Sequence, residues 1–239
     1  MKRFVLSSVL LVLCAPAIAQ MADGAKPAKT AYFVDTKVID LSLIVPAPPA
    51  LDSAQAKAEL AELHRIEQAR TPEQAAAAQA DEKDESIFVY RTVLGEKFRA
   101  EDLPLTAALS THVHNDEPVT GNSVKAAFKR PRPYQVDATL HPVCGATAQF
   151  NSYPSGHGVS GYLLAFTLAQ MVPEKRQEIL ARADDYAHNR LVCGVHYPSD
   201  IAASRNIAYA VFGYMLATPR FQIELAAARV ETRKRLGLN

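Results

Sequence analysis

Apolar residues along this chain recur mostly at helical spacing. Ala56, Leu60, Leu63 and Ile66 fall three or four positions apart with charges between them, the stripe of an amphipathic helix that starts after Asp52. Residues 75–78 continue the helix-favouring composition, and the charged stretch at 81–85 reads as a solvated link. Further helices are predicted around 102–115, 120–130, 157–171, 174–189, 199–216 and 219–236. Two stretches look buried on most sides, GYLLAFTLAQMV at 161–172 and IAYAVFGYMLA at 207–217. Each falls short of the ~20 residues that span a bilayer, so they read as central core helices without stable membrane insertion. Alternating patterns are weak and β-branched residues thinly spread, which predicts one all-α domain over 51–239. Ahead of it, residues 20–50 carry Pro27, Pro46, Pro48 and Pro49 and read as an extended arm.

The first nineteen residues do not belong to that pattern. Lys2 and Arg3 precede an almost wholly apolar run at 4–13, and Ala17-Ile18-Ala19 offers a small-x-small cleavage site. That is the form of a secretory signal peptide cut near Ala19, and it predicts a periplasmic or secreted protein. Composition agrees with a globular domain: 49% of residues are hydrophobic and 21% charged, and 239 residues suffice for a sizeable core. The formal net charge is +1, and loss of Lys2 and Arg3 with the leader leaves 24 basic residues against 25 acidic. No basic surface is implied, so nucleic acid is not an expected partner. Cys14 departs with the leader, and Cys144 and Cys193 remain as an even pair in an oxidising compartment, which predicts a disulfide.

Three clusters carry candidate chemistry: Lys125 to Arg132-Pro133, Tyr153-Pro154-Ser155-Gly156-His157, and Arg190 to His196 and Asp200. A phosphate dianion needs fixed cations and N–H donors around its oxygens. Lys125, Arg132 and Arg190 are candidate cations, and arginine's planar fork suits paired bonds to two oxygens. Ser155-Gly156 ahead of an apolar helix would supply a hydroxyl and amides at a helix N-terminus. His196 and Asp200, four apart, could pair; the carboxylate would fix the imidazole tautomer and leave the other nitrogen free to attack phosphorus. His157 could then protonate the leaving alcohol. Taken singly each cluster has a plainer reading: a solvated basic run, a helix cap at Ser155, a surface pair at His196 and Asp200.

Order and spacing together resemble the signature of the type 2 phosphatidic acid phosphatase superfamily. Lys125 is followed after six residues by Arg132-Pro133, Pro154-Ser155-Gly156-His157 is complete, and Arg190 is followed after five residues by His196 and after three more by Asp200. Within that superfamily the chain looks most like the class A bacterial nonspecific acid phosphatases. The proline-rich segment ahead of the first helix and the Cys193-Gly194-Val195-His196 core are shared features. The resemblance implies a helical bundle of the phosphatase and vanadium haloperoxidase kind. It further implies His196 as phosphohistidine nucleophile, Asp200 orienting it, His157 as acid, and Lys125, Arg132, Ser155, Gly156 and Arg190 as phosphate cradle. The implied activity is metal-independent hydrolysis of small phosphomonoesters with no cofactor; an alcohol replacing water would make it a phosphotransferase. Asn189 stands where the signature has Ser, and Tyr197 where class A members often carry Trp. Rival readings are a lipid-phosphate phosphatase at the membrane surface, a vanadium-dependent haloperoxidase and a phosphate binder without catalysis. The sequence leaves association into a homo-oligomer open. His112, His114 and Asp116 could in principle ligate a metal, but they read instead as an exposed polar helix end.

Overall fold

The computed structural model of the protein describes residues 31–35 and 37–238; the expected leader at 1–19 and the arm's first residues, 20–30, lie outside them. Among the described residues nine α-helices follow one another without a strand. They are α1 (Ala54–Ala69), α2 (Pro72–Lys83), α3 (Arg91–Leu94), α4 (Pro104–Phe128), α5 (Pro133–Val136), α6 (Gly156–Met171), α7 (Arg176–Val192), α8 (Pro198–Ala217) and α9 (Pro219–Leu236). The fold is all-α, as the hydrophobic pattern predicts.

Local chemistry explains where the helices begin. Ser53 caps α1 by accepting from the Ala56 amide at 3.1 Å. Thr71 and Gln74 form a reciprocal capping box on α2. Proline opens α2, α4, α5, α8 and α9, where its missing N–H is an orphan donor in any case.

The two helices expected around 102–115 and 120–130 are one. Helix α4 runs straight through Pro118, which removes one internal hydrogen bond. Leu109, Val113 and Val124 on both sides of it are fully buried, so packing outweighs the break. The Thr120 hydroxyl also donates to the carbonyls of Asp116 and Glu117 at 2.9 and 3.0 Å.

Helix α6 is the axis of the bundle, buried along nearly its whole length, with α7 and α8 against it and α4 and α9 completing the surround. Glycines permit this closeness. A Cβ on Gly161 would sit 2.6 Å from the Tyr186 ring of α7, and one on Gly158 2.9 Å from Ser204 of α8. A second apolar cluster, including Leu63, Ile66, Ala78, Leu140, Leu191 and Tyr197, joins α1 and α2 to the end of α7. Within residues 31–50 the chain forms one 3₁₀ turn, Leu41–Leu43, and buries Phe33, Val34, Leu41 and Val45 in the main core. Asp116 anchors this segment by accepting from the backbone N–H groups of Tyr32 and Phe33.

The stretch at 81–85 is only in part a solvated link, with Lys83 and Asp84 exposed. Asp81 is 8% exposed, closing the end of α2 onto Arg182 and Asn189 of α7. His112, His114 and Asp116 are likewise no exposed helix end. They sit mid-helix and serve three different partners: Glu224, Ser160 and the backbone at 32–33.

Candidate active site

The three sequence clusters converge where α4 ends, α6 begins and α7 passes into α8. Lys125 lies in the last turn of α4, and Lys129, in the left-handed conformation (φ 43°), turns the chain into Arg130-Pro131-Arg132. Ser155 caps α6, with Gly156 and His157 as its first residues. Gly194 (φ +74°) makes the turn after α7; a Cβ there would be strained and would press to 3.3 Å from Pro142 Cα. A disulfide between Cys144 and Cys193 pins the 137–153 loop to the same turn.

His196 precedes α8, and both its nitrogens are engaged. Nδ1 is 3.2 Å from Asp200 Oδ2 and Nε2 is 2.7 Å from Arg132 Nη1. A guanidinium only donates, so Nε2 must accept and Nδ1 must carry the hydrogen, donated to Asp200. The imidazole is buried and held well below its ordinary pKa, first by desolvation and then by Arg132, Arg190 and Lys125. It is therefore neutral, with its lone pair on the nitrogen that faces the cations.

Asp200 is completely buried and fully bonded. It accepts from Ser152 Oγ at 2.6 Å, the Tyr197 amide at 2.9 Å and Arg130 Nη1 at 2.7 Å. Burial pushes its pKa up, and Arg130 is the strongest opposing influence. Arg130, itself 3% exposed, lies over the Tyr197 ring and also reaches Glu59 of α1 at 2.9 Å.

The cations are held by neutral acceptors and by one carboxylate. Arg132 donates through Nε and Nη2 to Asn151 Oδ1 at 3.0 and 2.9 Å, and through Nη1 to the Val195 carbonyl at 2.8 Å. Lys125 Nζ donates to the carbonyls of Asn151 and Pro154. Burial lowers its pKa to about 8, with Glu117 opposing. Arg190 reaches Glu82 Oε1 at 3.3 Å, while its buried Nε has no protein acceptor. The Ser155 hydroxyl accepts from the Gly158 amide at 3.2 Å, a capping bond that leaves its hydrogen to donate. His157 Nε2 is 3.1 Å from the Glu82 carbonyl, and burial followed by Arg190 lowers its pKa to about 4.

All eight residues singled out in the sequence, Lys125, Arg132, Ser155, Gly156, His157, Arg190, His196 and Asp200, thus lie in one neighbourhood. Residues that sequence reasoning missed complete it: Arg130, Glu59, Asn151, Ser152, Glu82 and Glu117. Asn151 and Ser152 directly precede the Tyr153–His157 cluster, a signal that proximity in sequence offered. Arg130 was hidden inside a run that reads as a solvated basic face. Asn189 turns away to Asp81, 2.7 Å off, so its departure from the signature falls on α2 and not on the cradle.

The chain is similar to known proteins in sequence and in fold. The PAP2 superfamily model matches residues 104–224. A non-specific acid phosphatase of Salmonella typhimurium is 34% identical over 161 residues, covering 65% of this chain and 64% of that protein. One from Providencia stuartii is 27% identical over 212 residues, 85% of each chain. The match therefore spans slightly less than two thirds of the Salmonella relative's length. Among solved structures, a bacterial vanadium-dependent iodoperoxidase superposes with a TM-score of 0.54 at 19% identity, covering 72% of this chain and 52% of that one. A transmembrane PAP2-type phosphatidylglycerolphosphate phosphatase from Bacillus subtilis gives 0.51 at 15% identity, covering 74% and 89%. At those identities the shared property is the fold.

Proposed function

This chain belongs to the PAP2 superfamily, and on that premise we propose that it is an exported acid phosphatase acting on small phosphomonoesters through a phosphohistidine at His196. The observation that carries the reading is the state of His196: neutral, its Nδ1–H tied to Asp200, its Nε2 lone pair among Lys125, Arg132 and Arg190. A nucleophile aimed at phosphorus needs that tautomer and that surround.

In the proposed reaction the three cations, the Ser155 hydroxyl and the first amides of α6 take up the phosphate oxygens. A phosphate oxygen replaces His196 Nε2 as acceptor for Arg132, and Arg190 Nε gains the acceptor that the protein does not provide. Nε2 then forms a bond to phosphorus as the P–O bond to the leaving group breaks, and His157 gives its proton to the departing oxygen. Water attacks the phosphohistidine next, losing a proton to His157, and phosphate leaves. The protein's own charges supply what the transfer requires, so the reaction proceeds without a metal ion. No described helix is long and apolar enough to cross a membrane, which supports small phosphomonoesters over lipid phosphates as substrates. The leader at 1–19 supports export.

Hydrolysis of p-nitrophenyl phosphate with and without EDTA, alongside His196→Ala, tests the reading. The expected result is activity that survives EDTA and falls by about 10³-fold or more in the variant. Acid-labile, alkali-stable labelling of wild-type protein by radioactive substrate would identify the phosphohistidine. EDTA-sensitive turnover, or substantial activity in His196→Ala, would refute it.

A further inference from the structure

The end of α2 and the segment after it bring the Glu82 carbonyl and the Glu85 carboxylate to His157, the proposed leaving-group acid. Nε2 of His157 faces the Glu82 carbonyl at 3.1 Å, and a carbonyl only accepts. That nitrogen keeps its hydrogen whether the ring is neutral or charged, so the proton His157 exchanges must be the one on Nδ1. The same Nε2 lies 3.7 Å from Glu85 Oε1, and the other oxygen of Glu85 lies 3.9 Å from Nδ1 of His114 on α4. One carboxylate thus stands between two imidazoles, His157 facing the cradle and His114 behind it, the latter bonded to Ser160 Oγ at 3.0 Å.

We propose that Glu85 is a positioning residue for leaving-group protonation, pairing with the Nε2 side of His157 so as to favour the imidazolium and aim its Nδ1 proton at the departing oxygen. The inference rests on the reading of His157 as the acid. Around that ring, burial, Arg190 of α7 and His114 of α4 disfavour the charge, whereas Glu82 and its carbonyl favour it. Tyr186 of α7 stacks alongside at 6.5 Å and stays un-ionised, raised far above its ordinary value by burial. Glu82 is divided between Arg190 and the Gly145 amide, whereas Glu85 is the carboxylate within 4 Å of both imidazoles. When the P–O bond breaks, the Nδ1 proton moves to the leaving oxygen, giving the free alcohol and neutral His157. When water attacks the phosphohistidine, Nδ1 recovers a proton and the pair with Glu85 re-forms.

The dependence on leaving group tests this. A p-nitrophenolate departs without help, whereas an alkoxide needs the proton. kcat/KM, which reports steps up to phosphoryl transfer, would be measured against pH for p-nitrophenyl phosphate and glycerol 2-phosphate. The proteins would be wild type, Glu85→Gln, Glu85→Asp and His157→Ala. Glu85→Gln is expected to stay within about threefold of wild type on the aryl ester and to lose about tenfold or more on the alkyl ester, the equivalent of one pKa unit. Its alkaline limb on the alkyl ester should move to lower pH, because an imidazolium without its carboxylate loses its proton sooner. Glu85→Asp should recover part of the loss. Retained aryl activity shows that the variant is folded. Equal losses on both esters, or no loss on either, would overturn the role of Glu85 while leaving His157 in place. If His157→Ala also lost both activities equally, the acid role itself would fall, and this inference with it.

Discussion

Both nitrogens of His196 are engaged, and the partners dictate the tautomer without appeal to mechanism. The pH dependence follows from its neighbour. His157 must be protonated to act as acid, yet its surroundings pull it down to about 4. For alkyl phosphates kcat/KM, which reports the free enzyme, should therefore fall as pH rises from near that value. A bound phosphate dianion favours the imidazolium, so the corresponding limb of kcat should lie at higher pH; coincident limbs in a full pH profile would contradict this. Arg130 sets a second expectation. It is the cation between buried Glu59 and Asp200, and Arg130→Met would leave two buried carboxylates without it. Urea denaturation should report a loss of about 3–5 kcal/mol, the usual cost of breaking a buried pair. Arg65, exposed and paired among the described residues with Glu62, should tolerate alanine with no measurable change. Both residues look alike in sequence, as cations in polar stretches; only burial separates them.

Among the elements, α6 bears the tightest constraint. Gly161 lets α6 approach Tyr186, whose hydroxyl also donates to the Asp84 carbonyl. In Gly161→Ala the new methyl meets a buried ring that has little room to move. Overpacking of this kind costs about 1–3 kcal/mol, to be read as a lower thermal midpoint, with catalysis at low temperature largely retained. The apolar run in α6 was legible as a buried helix, whereas the need for glycine there depends on which ring of α7 lies opposite. Helix α4 makes the reverse point. Pro118 is a local stop signal, and it was overridden by buried residues on both sides. The cost of one lost hydrogen bond is local; the gain from continuous packing is not.

For the whole molecule, the Cys144–Cys193 bond closes the site loop onto the α7–α8 turn across 49 residues. Reduction should lower stability by about 2–4 kcal/mol, seen as a lower urea midpoint with dithiothreitol than without. The arm is a second tie: Tyr153, beside the cradle, donates to the Pro46 carbonyl at 2.6 Å, so the arm's last residues and the site are stabilised together. The sequence by itself determined the helical class, the approximate place of most helices, the cap at Ser155, and the eight residues that gather at the site. Those follow from short-range periodicity, capping chemistry and motif spacing, all of which lie within a few turns of chain. Only the tertiary structure decided that Glu82 and Glu85 face the site, that Arg130 is the buried partner of Asp200, and that Glu85 stands between His157 and His114. These depend on which surfaces meet across some 30 to 140 positions of sequence, and burial, which turns a charged side chain into a structural tie, is a property of that meeting.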